Sequence, residues 1–177
     1  MNDRDFLISL QACGAIKFGT FTLASGKTSD YYVDVKKAAT RPDLLREIAL
    51  RMAPHVKGYG RVAGVELGAV PIAAAVALET GLPFLIVRKA AKEHGTKHLY
   101  EGELWVGDRV VFVEDVVTTG GTLRRAIEGL RAAGAVVDRA IAVVDREEGG
   151  AEALQSAGVE FLALLRARDL RTVGQTA

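Results

Sequence analysis

The residues best suited to chemistry lie in "VVFVEDVVTTGGT", residues 110–122. Apolar residues lead into two adjacent carboxylates, Glu114 and Asp115, and then into a tract of Thr and Gly. Residues 110–113 have the pattern of a buried strand, which puts the acids at its carboxyl end. Consecutive strand residues point to opposite faces, so only a bend there would turn both acids toward one ligand. The next turn enters a helix predicted to begin near Thr122. Small residues at a helix N-terminus leave backbone N–H groups free to surround an anion, and the helix dipole favours negative charge there. Two acids beside such a cradle would repel a bare anion. They suit a ligand with hydroxyls for the acids and a phosphate for the cradle, and a ribose 5-phosphate has both. The competing reading of this spacing is a capped turn with solvated acids.

The elements that must position these residues follow a regular plan. Short apolar runs at 62–65, 84–87, 110–113, 140–144 and 161–164 alternate with helical stretches at 71–80, 122–133 and 151–156. Such repetition predicts an α/β fold with a mainly parallel central sheet flanked by helices. In sheets of this kind ligands bind beyond the carboxyl ends of the strands. Ahead of this core, residues 3–13 read as a helix with Phe6, Leu7 and Leu10 on one face, ended by Gly14. Alternating residues around Ser25-Gly26 predict a hairpin-like pair of strands. Pro42 opens a further helix with Leu44, Leu45, Ile48 and Met52 inward. The polar stretch 89–103 reads as a long loop with few anchors, of the kind that is usually functional or disordered.

Composition narrows the classes. The chain has 177 residues, 49% hydrophobic and 6% aromatic, a length that suits one domain. Lys and Arg number 23 against 22 Asp and Glu, so the net charge of +1 gives no global attraction for nucleic acid. One cysteine, Cys13, excludes an internal disulfide and a thiolate metal site, fits the cytoplasm, and reads as a buried small hydrophobe. The N-terminal stretch is acidic and polar, unlike a signal peptide, and the sequence has no apolar run of about 18 residues to span a membrane. His55 and His98 read as surface residues, and Trp105 as packing. Two motifs fail on inspection. "SGKTS" has Phe21 where a phosphate-binding P-loop needs its first Gly, and "GYGRVAG" leads into a strand rather than out of one.

The stretch 110–122 resembles the signature of the type I phosphoribosyltransferases, which bind 5-phosphoribosyl 1-diphosphate. The resemblance gives Glu114 and Asp115 the ribose 2- and 3-hydroxyls. It gives the stretch Val116, Val117, Thr118, Thr119, Gly120, Gly121 and Thr122 to the same ligand, with Thr118 to Thr122 on its 5-phosphate. "VRKAAKEHG" (87–95) resembles the mobile catalytic loop of the orotate-specific branch, "SGKTSDYYVD" (25–34) its N-terminal base-binding segment, and "VVDREEGG" (143–150) its orotate-anchoring turn. The motifs stand in the expected order over nearly the whole chain. One domain over 1–177 is implied, with a small helix-and-strand hood at about 1–36 that binds the base and a core at about 60–165.

The implied reaction joins orotate N1 to the sugar C1, giving orotidine 5-monophosphate and pyrophosphate in pyrimidine synthesis. Negative charge builds on the leaving group, so preorganised cations are the strongest lever. Arg88, Lys89, Lys92 and His94 are the catalytic cations by resemblance, with Asp115 beside them; a solvated surface loop is the competing reading of that basic run. Mg²⁺ is implied as a bridge between pyrophosphate and ribose oxygens, with no direct protein ligand. Arg146 can grip the orotate carboxylate with two hydrogen bonds, unless it is spent on a salt bridge to Glu147 or Glu148. Lys27 and Thr118 are further orotate contacts by resemblance, with Tyr31 and Tyr32 walling the ring. A homodimer whose loops reach into the neighbouring site is also implied. Some bacterial members have Lys where this chain has Gly68, which leaves a pyrophosphate contact missing or replaced by backbone N–H groups. The rival readings are a phosphoribosyltransferase for another base, which would give Arg146 no carboxylate to hold, and a non-catalytic regulator that senses phosphoribosyl diphosphate.

Overall fold

A computed structural model describes residues 1–22, 26, 28–89 and 99–174, the last four by backbone alone. Six strands form one sheet: β3 (Arg61–Val65), β4 (Phe84–Val87), β5 (Tyr100–Glu101), β6 (Arg109–Val117), β7 (Val136–Asp145) and β8 (Glu160–Arg166), in the order β5-β4-β3-β6-β7-β8. All neighbours pair in parallel except β5, which runs antiparallel to β4. The predicted mainly parallel α/β sheet is therefore present. Alternation along its strands fills two cores. Val62, Val111, Val113 and Ile141 pack toward one, and Ala63, Phe112, Ala140 and Ala142 toward the other. Burial on both faces is why these strands read as continuous apolar runs.

Helices α1 (Asp3–Ala12), α2 (Lys36–Ala39), α3 (Pro42–Met52) and α4 (Val70–Thr80) contribute to the first core. Helices α5 (Gly121–Ala132) and α6 (Gly150–Ser156) contribute to the second, and α7 (Ala167–Gly174) follows β8. Asn2 caps α1 by accepting the Asp5 N–H at 2.8 Å, and Pro42 starts α3 where no N–H is needed. Gly64 lets α4 close on β3: a Cβ there would stand 2.7 Å from the Ala69 carbonyl oxygen. That approach fixes the turn between β3 and α4, which enters the site.

The hood is an antiparallel pair, β1 (Ile16–Thr22) and β2 (Thr28–Val33), with a register shift between Phe18 and Phe21. Three expectations need correcting. The stretch 89–103 is shorter as a loop than its polarity suggested, because Tyr100–Glu101 adds a strand to β4 and Leu99 packs in the second core. Trp105 is 65% exposed rather than packed; it reaches its neighbours through its backbone N–H, which donates to Asp108. Cys13 is only partly buried at the edge of the first core. His55 is exposed as expected, and His98 lies outside the described residues. No helix among the described residues is long and apolar enough to cross a membrane.

Candidate active site

Two hollows meet at the carboxyl ends of β3 and β6. One, of about 360 Å³, is lined by Lys36, Glu66, Gly68, Lys89, Glu114 and Asp115 among others. The other, of about 100 Å³, is formed by Val116 to Leu123 with Glu114. They share Glu114, Val116 and Thr122, so one ligand can occupy both.

Strand β6 runs four residues beyond the predicted end, so Glu114 and Asp115 lie inside it. Pairing with β7 carries the ladder past the acids, with Glu114 opposite Ala142 and Val116 opposite Val144. The side-chain alternation slips here. Val111, Val113 and Val116 face the first core, while Phe112 and Val117 face the second. The break falls across the two acids, and both line the larger hollow. The Asp115 N–H donates to Glu114 Oε1 at 3.1 Å, and the Val116 N–H donates to Asp115 Oδ1 at 2.8 Å.

Glu114 is only 8% exposed, and burial pushes its carboxyl well above the usual range. Asp115 pushes the same way, while its backbone N–H and Lys89 oppose. A group whose folded pKa is raised binds its proton more tightly when folded, so its contribution to stability is lost as pH rises from the unfolded pKa to the folded one. Glu114→Gln is therefore expected to gain melting temperature over wild type on going from pH 4 to pH 8. A variant whose melting temperature tracks wild type at both pH values would show that Glu114 titrates normally.

The smaller hollow surrounds a helix N-terminus. Gly120, at φ 75°, is the N-cap of α5, and its side chain being absent, no side-chain hydrogen bond caps the helix. The first N–H groups of α5 are thus open to a ligand. Gly120 also packs against Gly150, whose carbonyl oxygen would lie 3.2 Å from a Cβ at position 120.

The turn after β3 forms the opposite wall. The Glu66 N–H donates to the Val87 carbonyl at 2.8 Å, and Glu66 Oε1 accepts the Lys89 N–H at 3.0 Å. The peptide between Glu66 and Leu67 is cis. A Cβ on Gly68 would meet the Asp115 carboxylate, so a side chain there would require that carboxylate to turn aside.

Arg146 follows β7, with its backbone N–H donating to the Val117 carbonyl at 2.9 Å. Its guanidinium carbon lies 5.2 Å from the centre of the Tyr31 ring, close enough for a cation–π contact. Arg146 Nε is 2.9 Å from Glu148 Oε1, yet its buried N–H has no aligned acceptor among the described residues. The ion pair with Glu148 exists, but it leaves hydrogen-bonding capacity for a ligand carboxylate.

The predicted site residues divide as follows. Lys89, Glu114, Asp115 and residues 116–122 surround the two hollows. Tyr31 and Arg146 form a neighbouring pair. Tyr32 faces away from Tyr31 as strand alternation requires; it is 41% exposed and packs on Phe21, with ring centres 5.7 Å apart. Arg88 turns to Glu101, with Nη2 and Oε1 2.6 Å apart. Lys27, Lys92 and His94 lie outside the described residues. Sequence reading did not single out Lys36 and Glu66, which enter the cleft through the folding of distant segments.

The phosphoribosyl transferase domain family matches residues 61–158. The orotate phosphoribosyltransferase of Methanosarcina acetivorans is 54% identical over 169 residues, spanning 94% of this chain and 90% of that one. The crystal structure of orotate phosphoribosyltransferase from Aeropyrum pernix superposes with a TM-score of 0.86 at 32% identity, covering 96% of this chain and 98% of that one. The Mycobacterium tuberculosis enzyme in complex with 5-phospho-α-D-ribosyl 1-diphosphate gives a TM-score of 0.78 at 32% identity, covering 96% and 99%. With the carboxylate pair, the anion cradle and the arginine–tyrosine pair all set at the carboxyl ends of its parallel strands, the chain belongs to the orotate phosphoribosyltransferases of the phosphoribosyl transferase family.

Proposed function

We propose that the joined hollows transfer the 5-phosphoribosyl group from 5-phosphoribosyl 1-diphosphate to orotate, releasing pyrophosphate and orotidine 5-monophosphate. The observation that carries this reading is the union of an uncapped helix N-terminus with two carboxyl groups in one cleft. The cradle at 118–122 takes the 5-phosphate through backbone N–H groups. Glu114 and Asp115 then meet the ribose hydroxyls. Lys89 stands where the diphosphate would leave. Arg146, with Tyr31 beneath it, holds the orotate carboxylate so that N1 faces the sugar C1. Lys92, His94, Arg88 and Lys27 keep the roles that the family resemblance gives them.

Three or more His, Cys, Asp or Glu side chains do not cluster as a metal site among the described residues. The donors present suit a hard cation such as Mg²⁺ that keeps its waters and takes substrate oxygens as ligands, with Asp115 in the same cleft. When bound, it would neutralise charge on the diphosphate. The single cysteine, which leaves no internal disulfide, supports a cytoplasmic enzyme. The direct test follows orotate absorbance with phosphoribosyl diphosphate and Mg²⁺, with adenine, hypoxanthine and uracil as competitors. Turnover of a competing base in preference to orotate would refute the assignment.

The reading includes a two-fold dimer whose loops carrying Lys92 serve the neighbouring site. Asp115→Asn and Lys92→Ala should each be nearly inactive. Mixed in equal amounts by refolding, they should recover about a quarter of wild-type activity, because half the dimers then carry one intact site of two. Recovery of nothing would mean that each loop serves its own subunit.

A further inference from the structure

We infer that Lys36, held by Asp34, is the cation that receives the diphosphate end of the donor substrate beside Gly68. This rests on the reading of the cleft as a phosphoribosyl diphosphate site. Lys36 is the first residue of α2, three positions after β2 ends, and its Nζ lies 2.8 Å from Asp34 Oδ1. Asp34 is itself fixed, because its N–H donates to the Ala15 carbonyl at 2.7 Å at the base of the hood. The lysine side chain lines the same hollow as Leu67, Gly68, Lys89 and Asp115.

The charge balance of that hollow requires such a group. Glu66, Glu114 and Asp115 supply three carboxyls to it, and among the described residues Lys89 and Lys36 are the two cations lining it. A diphosphate entering there needs more positive charge than Lys89 alone. Gly68, with no side chain, does not provide it. Lys36 keeps its charge in this setting: the neighbouring Asp34 carboxylate raises its pKa against the cost of burial, and Asp115 raises it further. Asp34 thus acts as a positioning residue, aiming a half-exposed lysine that would otherwise sample many rotamers.

Calorimetry with Mg²⁺-pyrophosphate and with ribose 5-phosphate, as separate probes, separates the two ends of the cleft. Lys36→Ala should weaken pyrophosphate binding and raise the phosphoribosyl diphosphate KM by about tenfold or more, as loss of a charge-assisted contact implies. Ribose 5-phosphate binding, orotate KM and the melting temperature should stay near wild type, and Lys36→Arg should restore most of the loss. Unchanged pyrophosphate binding in Lys36→Ala, or equal weakening of both probes, would overturn the inference. The outcome is separable from that for the reaction: a wild type that turns over no orotate, yet binds pyrophosphate through Lys36, would sink the proposed transfer and leave this assignment standing.

Discussion

Arg146→Ala should raise the KM for orotate by about 30- to 150-fold while moving that for phosphoribosyl diphosphate by less than about threefold. The range corresponds to roughly 2–3 kcal/mol, the worth of hydrogen bonds to a charged group. The asymmetry comes from where Arg146 sits. Its backbone N–H is bonded to Val117, so the turn survives truncation of the side chain. Its guanidinium, however, lies over Tyr31, and Arg146 is not among the residues lining the 360 Å³ hollow that would hold the sugar and diphosphate. Truncation also leaves Glu148 without its ion-pair partner, which adds negative charge beside the lost contact. Arg146→Lys should recover only part of the loss, because a point charge cannot make the paired hydrogen bonds of a planar guanidinium. Initial rates with each substrate varied in turn decide the matter, and parallel rises in both KM values would remove Arg146 from the base site.

Much of this site was legible in the residues themselves. The strand–turn–helix at 110–122 is local, and its types and spacing gave both the acids and the cradle before any tertiary contact was known. The requirement for a bend was visible too, since alternation forbids two adjacent strand residues from sharing a ligand. Its mechanism was not visible, because the strand continues through Glu114 and Asp115 on hydrogen bonds supplied by β7. Polar residues in a strand look like its end when the neighbour is unknown. β5 escaped for a related reason: two residues have no period to read, and only pairing with β4 makes Tyr100–Glu101 a strand. Tyr31 and Tyr32 show the converse. Their adjacency suggested two walls of one pocket, while strand geometry gives them opposite faces, and only Tyr31 meets Arg146.

Lys36 and Glu66 mark where local reading ends. Neither belongs to a motif that spacing alone would flag, and neither lies near 110–122 in sequence. Glu66 is placed because Gly64 lets α4 close on β3, and Lys36 because the hood delivers the chain to the cleft. Gly68 belongs with them. Its missing side chain looked like a lost contact in the sequence, and in the fold the Asp115 carboxylate occupies the space beside it.

Gly150→Ala is expected to damage both folding and donor binding, although residue 150 contributes no side chain to the site. Gly150 opens α6, where its Cα packs against the anion cradle backbone to backbone. A methyl group there would press into the Val117 side chain and stand 2.5 Å from the Thr118 carbonyl oxygen and 3.3 Å from the Gly120 nitrogen. The obstacles are chiefly backbone, so no rotamer change relieves them and the 118–120 turn must move. Overpacking of this kind costs roughly 1–3 kcal/mol, or a fall of about 2–12 °C in melting temperature for a chain of this size. The displaced N–H groups would no longer converge on the 5-phosphate, so ribose 5-phosphate affinity should drop by about tenfold or more, as for loss of charge-assisted hydrogen bonds. Gly121→Ala is the control. One step into α5, its added carbon would meet only Arg125 Nη1 at 3.8 Å and Thr119 Oγ1 at 3.9 Å, both ordinary contacts, so its melting temperature should hold. Because Arg146 is hydrogen-bonded to Val117 beside the same contact, Gly150→Ala should also raise the orotate KM, coupling the two substrates through one glycine. Calorimetry and thermal melts of the two variants side by side test the coupling: Gly150→Ala that binds ribose 5-phosphate as wild type does would show that the cradle holds its shape without α6.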